Sequence, residues 1–316
     1  MILVIASEKD LFIEQLIDRF TRNGVALSRI RKNEIIGVSF SIDNTVNKKF
    51  TIETPDSVFA SNELKGILFG RDCCNCFESF FESHNKQGYP QQQLRMIAAQ
   101  LMNRFDFLPM FGKVLPQLKY DKLTMRQYAV ECGLDIPAVL VTSYLEELKL
   151  FIAEHGSVTG CIFSDLWTAN MKNDSLWRPH GEMREELLNS IPLKFSPSIF
   201  QQSVDHVRMV RVLYLMGSIY AFVEPNVNSQ KPHNDDSVLP LEPGQLSEKL
   251  KSGIAQVMQM CHLSSGQLTF LVDGRGKFYL ESIDTEMDQI RNFDTGGLDL
   301  YKVIAEKFTV STEVQY

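Results

Sequence analysis

The chain opens on an unbroken apolar run at residues 2–6, crosses a charged break at Glu8-Lys9-Asp10, and continues as an amphipathic stretch over 11–23. A short continuous run predicts a buried strand, and apolar residues spaced by three and four predict a helix with one buried stripe. Gly24 stands where a helix-ending glycine belongs. A second run at 26–31 and several short β-prone segments up to Phe69 follow. Strand, helix, strand in that order predicts a small α/β unit with a parallel sheet.

Farther along, the spacing in QQQLRMIAAQLMNRF predicts a helix over 89–104. A Pro- and Gly-containing passage, LPMFGKVLPQ, then breaks the pattern and places a boundary near Pro116. From 120 to 156 the order is helix, stop at Gly133, strand, a cap at Thr142 or Ser143, and an amphipathic helix ending near His155-Gly156. A strand at 158–163 leads into the polar loop DLWTANMKNDSLWRPHGE, which reads as a mobile flap. From Pro197 the chain turns β-rich, with a turn at Gly217; residues 231–243 read as an exposed loop, 245–261 and 298–308 as helices. The expected units are 1–115, 116–196 and 197–316.

The clearest local signal is LTFLVDGRGKFYLESID, residues 268–284, where two apolar runs flank Asp273-Gly274-Arg275-Gly276. Such a pattern predicts two strands joined by a tight turn.

Composition narrows the class. With 316 residues and 44% hydrophobic content, the chain is long enough for more than one packed core. A net charge of −7 argues against non-specific binding to nucleic acid or anionic membrane, which needs a basic face to displace counterions. No basic segment precedes the first apolar run. No run reaches the roughly 18 apolar residues of a membrane helix, so the expected location is cytoplasmic. Among the six cysteines only Cys73, Cys74 and Cys76 are grouped, with His84 as the nearest further ligand. Zinc favours paired spacings, so reduced structural thiols are the simpler reading.

Taken in order, MILVIASEKD, DKLTMRQYAVECGLDIPAVLVTS, PSIFQQSVDHVRMVRVLYLMGSIYAF and the hairpin resemble an ATP-grasp protein. The resemblance is to the ligases that mature ribosomal peptides (RiPPs) by ester or amide cross-links, the microviridin-type graspetide group and its grasp-with-SPASM relatives. It implies an α/β ATP-grasp fold: an N-terminal α/β pre-ATP-grasp domain, a small central α/β lobe and a C-terminal α+β lobe. In such enzymes Mg2+ bridges the phosphates of ATP, a substrate carboxylate attacks the γ-phosphoryl group, and a hydroxyl or amine captures the acyl phosphate. That chemistry needs cations against the triphosphate and carboxylates on the metal.

By this resemblance Lys122 and Arg211 are the phosphate-side cations, and Arg211 is also the candidate catalytic group. Gln202 stands at the cofactor position of the hinge glutamate, and Glu281 matches the metal-binding glutamate. Other positions depart from the pattern. Cys161 replaces a second lysine, and His206 and Met209 replace the lysine and glutamate of a K-x-x-E-L-R phrase. Thr269 and Ile283 replace a metal-binding Asp and Asn. A Trp-Tyr-Arg-Arg phrase is reduced to Leu68-Phe69-Gly70-Arg71, and an aspartate-tryptophan-arginine phrase is missing from SQKPHNDDS.

Each residue also has a plainer reading: Lys122 as a solvated helix-start residue, Arg211 as half of a structural ion pair, Met209 as a side chain filling the cleft. The first expectation is a degenerate ATP-grasp protein that binds a precursor peptide or partners an active maturase, with its Mg-ATP chemistry impaired or lost. The alternative is an active ATP-dependent ligase using ATP and Mg2+ at a displaced site, with Lys122, Arg211, Glu281 and acids among Asp284, Glu286 and Asp288. Pairing with an active ATP-grasp subunit or a second copy of the chain is expected. A third possibility is an unrelated α/β binding protein whose resemblance stops at the fold.

Overall fold

The structure is a computed structural model that describes residues 1–6, 10–42, 48–70, 73–84, 108–112, 122–161, 181–224, 239–240, 246–284 and 299–310. Strand β1 (Ile2–Ile5) is buried at every position and lies inside a parallel sheet. The order of that sheet is β2 (Leu27–Ile30), β1, β6 (Gly66–Phe69), β7 (Met110–Phe111). Burial on both faces is what an unbroken apolar run provides for. Ile2 and Val4 pack with helix α1 (Leu11–Arg22) on one side. Asp10 caps α1 by accepting from the N–H groups of Phe12 and Ile13, and Gly24 beyond it has φ +69°.

Leu3 and Ile5 face the other way, toward helix α2 (Cys73–His84) and a three-stranded antiparallel sheet. That sheet contains β3 (Gly37–Ile42), β4 (Lys48–Glu53) and β5 (Val58–Ala60). Cys73 and Cys76 are buried thiols in this core. Helix α7 (Leu300–Val310), the last described element, returns to the first layer. Phe308 meets Phe20 edge-on at 6.1 Å, and Arg19 pairs with Asp299 at 2.6 Å. Gly66 is needed under this helix, since a Cβ there would lie 2.4 Å from the Phe308 ring.

The middle of the chain forms an antiparallel sheet of order β10 (Gly181–Glu182), β9 (Val158–Cys161), β11 (Lys194–Gln202), β8 (Val139–Tyr144). Helices α4 (Leu145–His155) and α5 (Glu185–Leu188) cover the face that carries Phe200. The cap expected at Thr142 or Ser143 lies later. Tyr144 is the N-cap residue, and the Thr142 hydroxyl instead accepts from the Tyr144 N–H and contacts the Glu147 carboxylate.

The expected division between 196 and 197 falls inside β11, which pairs with both β8 and β9. Pro197, which suggested a break, lies in an irregularity of the β11–β8 ladder between Lys194 and Ser198. A missing N–H is tolerated at such a place. The expected helix at 89–104, the boundary near Pro116 and the flap up to residue 180 lie outside the described residues. So does the expected loop at 231–243, apart from 239–240.

The last sheet is antiparallel and five-stranded, in the order β14 (Leu239–Pro240), β13 (Ser218–Glu224), β12 (His206–Leu215), β15 (Ser265–Asp273), β16 (Phe278–Asp284). Met216 and Gly217 join β12 to β13 with φ of +45° and +83°. Two positive φ values give the turn whose twist matches the flanking strands. Helices α3 (Lys122–Glu131) and α6 (Glu248–Met260) cover one face of this sheet. On the opposite face Leu213, Leu215 and Phe222 join the core of Ile2 and Val4. No helix among the described residues is long and apolar enough to cross a membrane.

Candidate functional site

Alternation on the last sheet sends Val210, Val212, Leu268, Phe270 and Val272 into the core beneath α3 and α6. The intervening residues form the other face. There Arg211 stands between Thr269 and Phe222, Met209 between Leu271 and Glu224, and Gln267 between Leu213 and Asp284. Ser282 closes the Thr269 row.

Arg211 is ion-paired with Glu224, and each side chain is only 19% exposed. The remaining guanidinium donors, Nε and Nη1, are buried without a hydrogen-bond partner among the described residues, and so is Gln267 Oε1. A buried polar group left this way costs about 1–3 kcal/mol. This corner of the sheet is therefore under-satisfied, whereas Val210, Val212, Leu268, Phe270 and Val272 on the helix-covered face carry no polar side-chain atom.

Glu281 owes its direction to a β-bulge. Thr269 faces Ser282 and Phe270 faces Leu280, which leaves Glu281 as the extra residue between them. Bulges re-aim side chains and interrupt the ladder. Gln201 Nε2 donates to Glu281 Oε2 at 2.6 Å, and the Gln201 carbonyl oxygen accepts from the Arg126 guanidinium. One amide thus links α3, β11 and β16.

A second tie lies farther up β16. Lys277 Nζ reaches Asp135 Oδ1 at 2.8 Å, and the Leu280 N–H donates to the Asp135 carbonyl at 2.8 Å. The hydrogen bond to Asp135 raises the Lys277 pKa above the ordinary lysine value. The segment after α3 is therefore fastened along the strand that carries Glu281.

The residues singled out in the sequence are not all brought together. Lys122 opens α3, one turn before Arg126. Gln202 accepts from the Ala138 N–H at 3.4 Å, and its neighbour Gln201 is the one that reaches Glu281. Cys161 pairs with Ile199, two residue pairs from the Thr159–Gln201 pair. His206 lies at the far end of β12 opposite Asp273, with its ring nitrogen Nδ1 3.1 Å from the Val204 carbonyl.

Ile283 lies across from Leu268 and packs in the core under α6, so it does not belong to the Arg211 face. Among the described residues no three His, Cys, Asp or Glu side chains converge as a metal site. Arg126, Gln201, Glu224 and Gln267 did not stand out in the sequence. Arg126 alone left a signal, as a second cation one helical turn from Lys122.

The same fold recurs in solved structures. A RiPP-associated ATP-grasp ligase from Chryseobacterium gregarium, solved with ADP and a leader and core peptide, superposes with a TM-score of 0.71 over 99% of this chain and 96% of its own, at 19% identity. The chain has the ATP-grasp fold. The macrocyclase MdnC from Microcystis aeruginosa, bound to its precursor peptide MdnA, gives a TM-score of 0.67 at 16% identity, covering 98% of this chain and 100% of its own. The ATP-grasp ligase PsnB, complexed with a minimal precursor, Mg and ADP, gives 0.68 at 12% identity, covering 98% and 97%. At these identities the likeness is one of fold. No protein-family model matches the chain, and no curated protein matches it.

Proposed function

We propose that this chain is a degenerate ATP-grasp protein of ribosomal-peptide maturation, one that binds a precursor peptide while its Mg-ATP chemistry is impaired or lost. The observation that carries the reading is that two of the charged groups matched by the resemblance are already engaged by the protein: Arg211 by Glu224, and Glu281 by Gln201. A phosphate-binding arginine must offer its charge outward, and a magnesium ligand must offer its oxygens. Glu281 and Asp284 are the carboxylates of β16 at this end of the sheet, and Asp284 already accepts from the Ser282 hydroxyl. These described residues do not fit a magnesium-nucleotide site, so no step through ATP is derived for them.

The solved proteins of this fold bind leader, core or precursor peptides. A sheet face of Met209, Thr269 and Gln267 with the Arg211 charge paired internally suits a peptide better than a triphosphate. The chain would act as the peptide-holding partner of an active ATP-grasp subunit or as a homodimer, in the cytoplasm. Isothermal titration with Mg-ATP is the direct test. No binding up to millimolar nucleotide is expected, and micromolar binding would overturn the reading.

The second reading is an active ATP-dependent carboxylate ligase with a displaced metal site. Asp284, on the Gln267 row two strands over from Arg211, is the observation in its favour. It requires peptide-stimulated ADP release that Glu281→Gln abolishes.

A further inference from the structure

One corner of the Arg211 face is mismatched in a specific way. The guanidinium is engaged on one side by Glu224, while Nε and Nη1 are buried with no partner among the described residues. Gln267 is 2% exposed, and its Oε1 is equally without a partner. Arg211 lies across from Thr269 and Gln267 across from Leu213, so the two polar heads are diagonal neighbours on one face. That spacing is within reach of long side chains. Buried polar groups are normally satisfied. Open donors beside an open acceptor therefore describe the complement of a ligand that carries one acceptor and one donor.

Charge narrows the ligand further. Glu224 already neutralises Arg211, so an incoming anion would meet an engaged cation with a carboxylate beside it. An incoming cation would meet guanidinium donors. A neutral amide has an acceptor oxygen and a donor N–H on neighbouring atoms and brings no charge. The Gln267 side chain can present either end of its own amide, so the Arg211–Glu224 balance decides the choice. Met209, two residues before Arg211 on its strand, and Leu213, directly across from Gln267, flank the corner with apolar side chains.

We propose that this corner binds an uncharged amide of a peptide, its oxygen accepting from Arg211 Nε–H and its N–H donating to Gln267 Oε1. The inference rests on the peptide-binding reading above and names the group recognised: an amide where the family resemblance implies phosphoryl oxygen.

The test follows the Nε–H resonance of Arg211 in the full chain, assigned by its loss in Arg211→Lys. Propionamide stands for a side-chain carboxamide, N-methylacetamide for a backbone unit and inorganic pyrophosphate for phosphoryl oxygen. A saturable shift is expected with at least one amide and none with pyrophosphate at the same concentration; the tighter amide identifies the source. Gln267→Leu is expected to abolish the shift and raise the melting temperature, because it removes an unmet buried acceptor. Glu224→Gln is expected to tighten pyrophosphate binding by about tenfold or more. The proposal is overturned if pyrophosphate acts on the wild type at lower concentration than either amide, if no probe shifts the signal, or if Gln267→Leu keeps the amide shift. Loss of the amide response with precursor-peptide binding intact sinks this inference alone. Micromolar Mg-ATP binding sinks the broader reading and leaves the amide result standing.

Discussion

The two faces of the last sheet are built from the same strands, and often from adjacent residues, yet they obey different rules. On the helix-covered face Val210, Val212, Leu268, Phe270 and Leu280 are all at most 3% exposed, with no polar group to satisfy. On the other, Arg211, Glu224, Thr269 and Gln267 are also largely removed from solvent but leave donors and an acceptor open. Because side chains alternate along a strand, one segment can hold the fold together on one side and keep unmet chemistry on the other. Similar burial does not mean similar purpose.

The sharpest way to break the comparison is Phe270→Ala. The ring is fully buried, and its removal is expected to cost about 3–5 kcal/mol in urea unfolding. Any loss of ligand response should track the unfolded fraction and nothing else.

Glu224→Gln comes next, with an expected loss of about 2 kcal/mol in the same measurement, because a partly buried guanidinium loses its counter-charge. If stability is unchanged, the pair is not what holds Arg211. Gln201→Leu is expected to cost about 1–2 kcal/mol by removing the amide between Arg126 and Glu281. An unchanged unfolding midpoint would show that the lobes are held without it.

The smallest effect concerns the Lys277–Asp135 tie. Its lysine pKa is raised by the hydrogen bond to Asp135. The contribution is therefore complete below the ordinary lysine pKa of about 10.4 and fades as pH climbs through the raised value. The stability advantage of wild type over Lys277→Met should hold at neutral pH and close in strong alkali; an advantage that grew there would reverse the assignment.

Period and turn chemistry carried the sequence far. The run at β1, the stops at Gly24 and Gly133, the turn at Gly217 and the hairpin at 268–284 are where periodicity and turn residues put them. The site was harder to see, for two local reasons. Ile199 and Phe200 are both buried, though they point to opposite faces of β11. Alternation puts Gln201 on Ile199's face and Gln202 on Phe200's. With both apolar residues buried it could not say which face meets Glu281, and attention fell on Gln202 while Gln201 makes that contact. The bulge at Glu281 has no marker such as glycine, yet it shifts the phase of every later residue on β16. Ile283 accordingly falls in the core and Ser282 takes the place beside Thr269. Ion pairs such as Arg211–Glu224 join diagonal positions on two strands, a relation set by strand twist and rotamer more than by spacing.

The docking of α7 on the first layer has a consequence for biosynthesis. Ile2 and Val4 share a core with Leu300, Ile304 and Phe308, so strand β1 leaves the ribosome long before the helix that covers it. Until then that face of the first sheet lacks its cover, and an uncovered apolar surface on a growing chain invites aggregation. The order of translation makes the closing helix the step that ends this vulnerable interval.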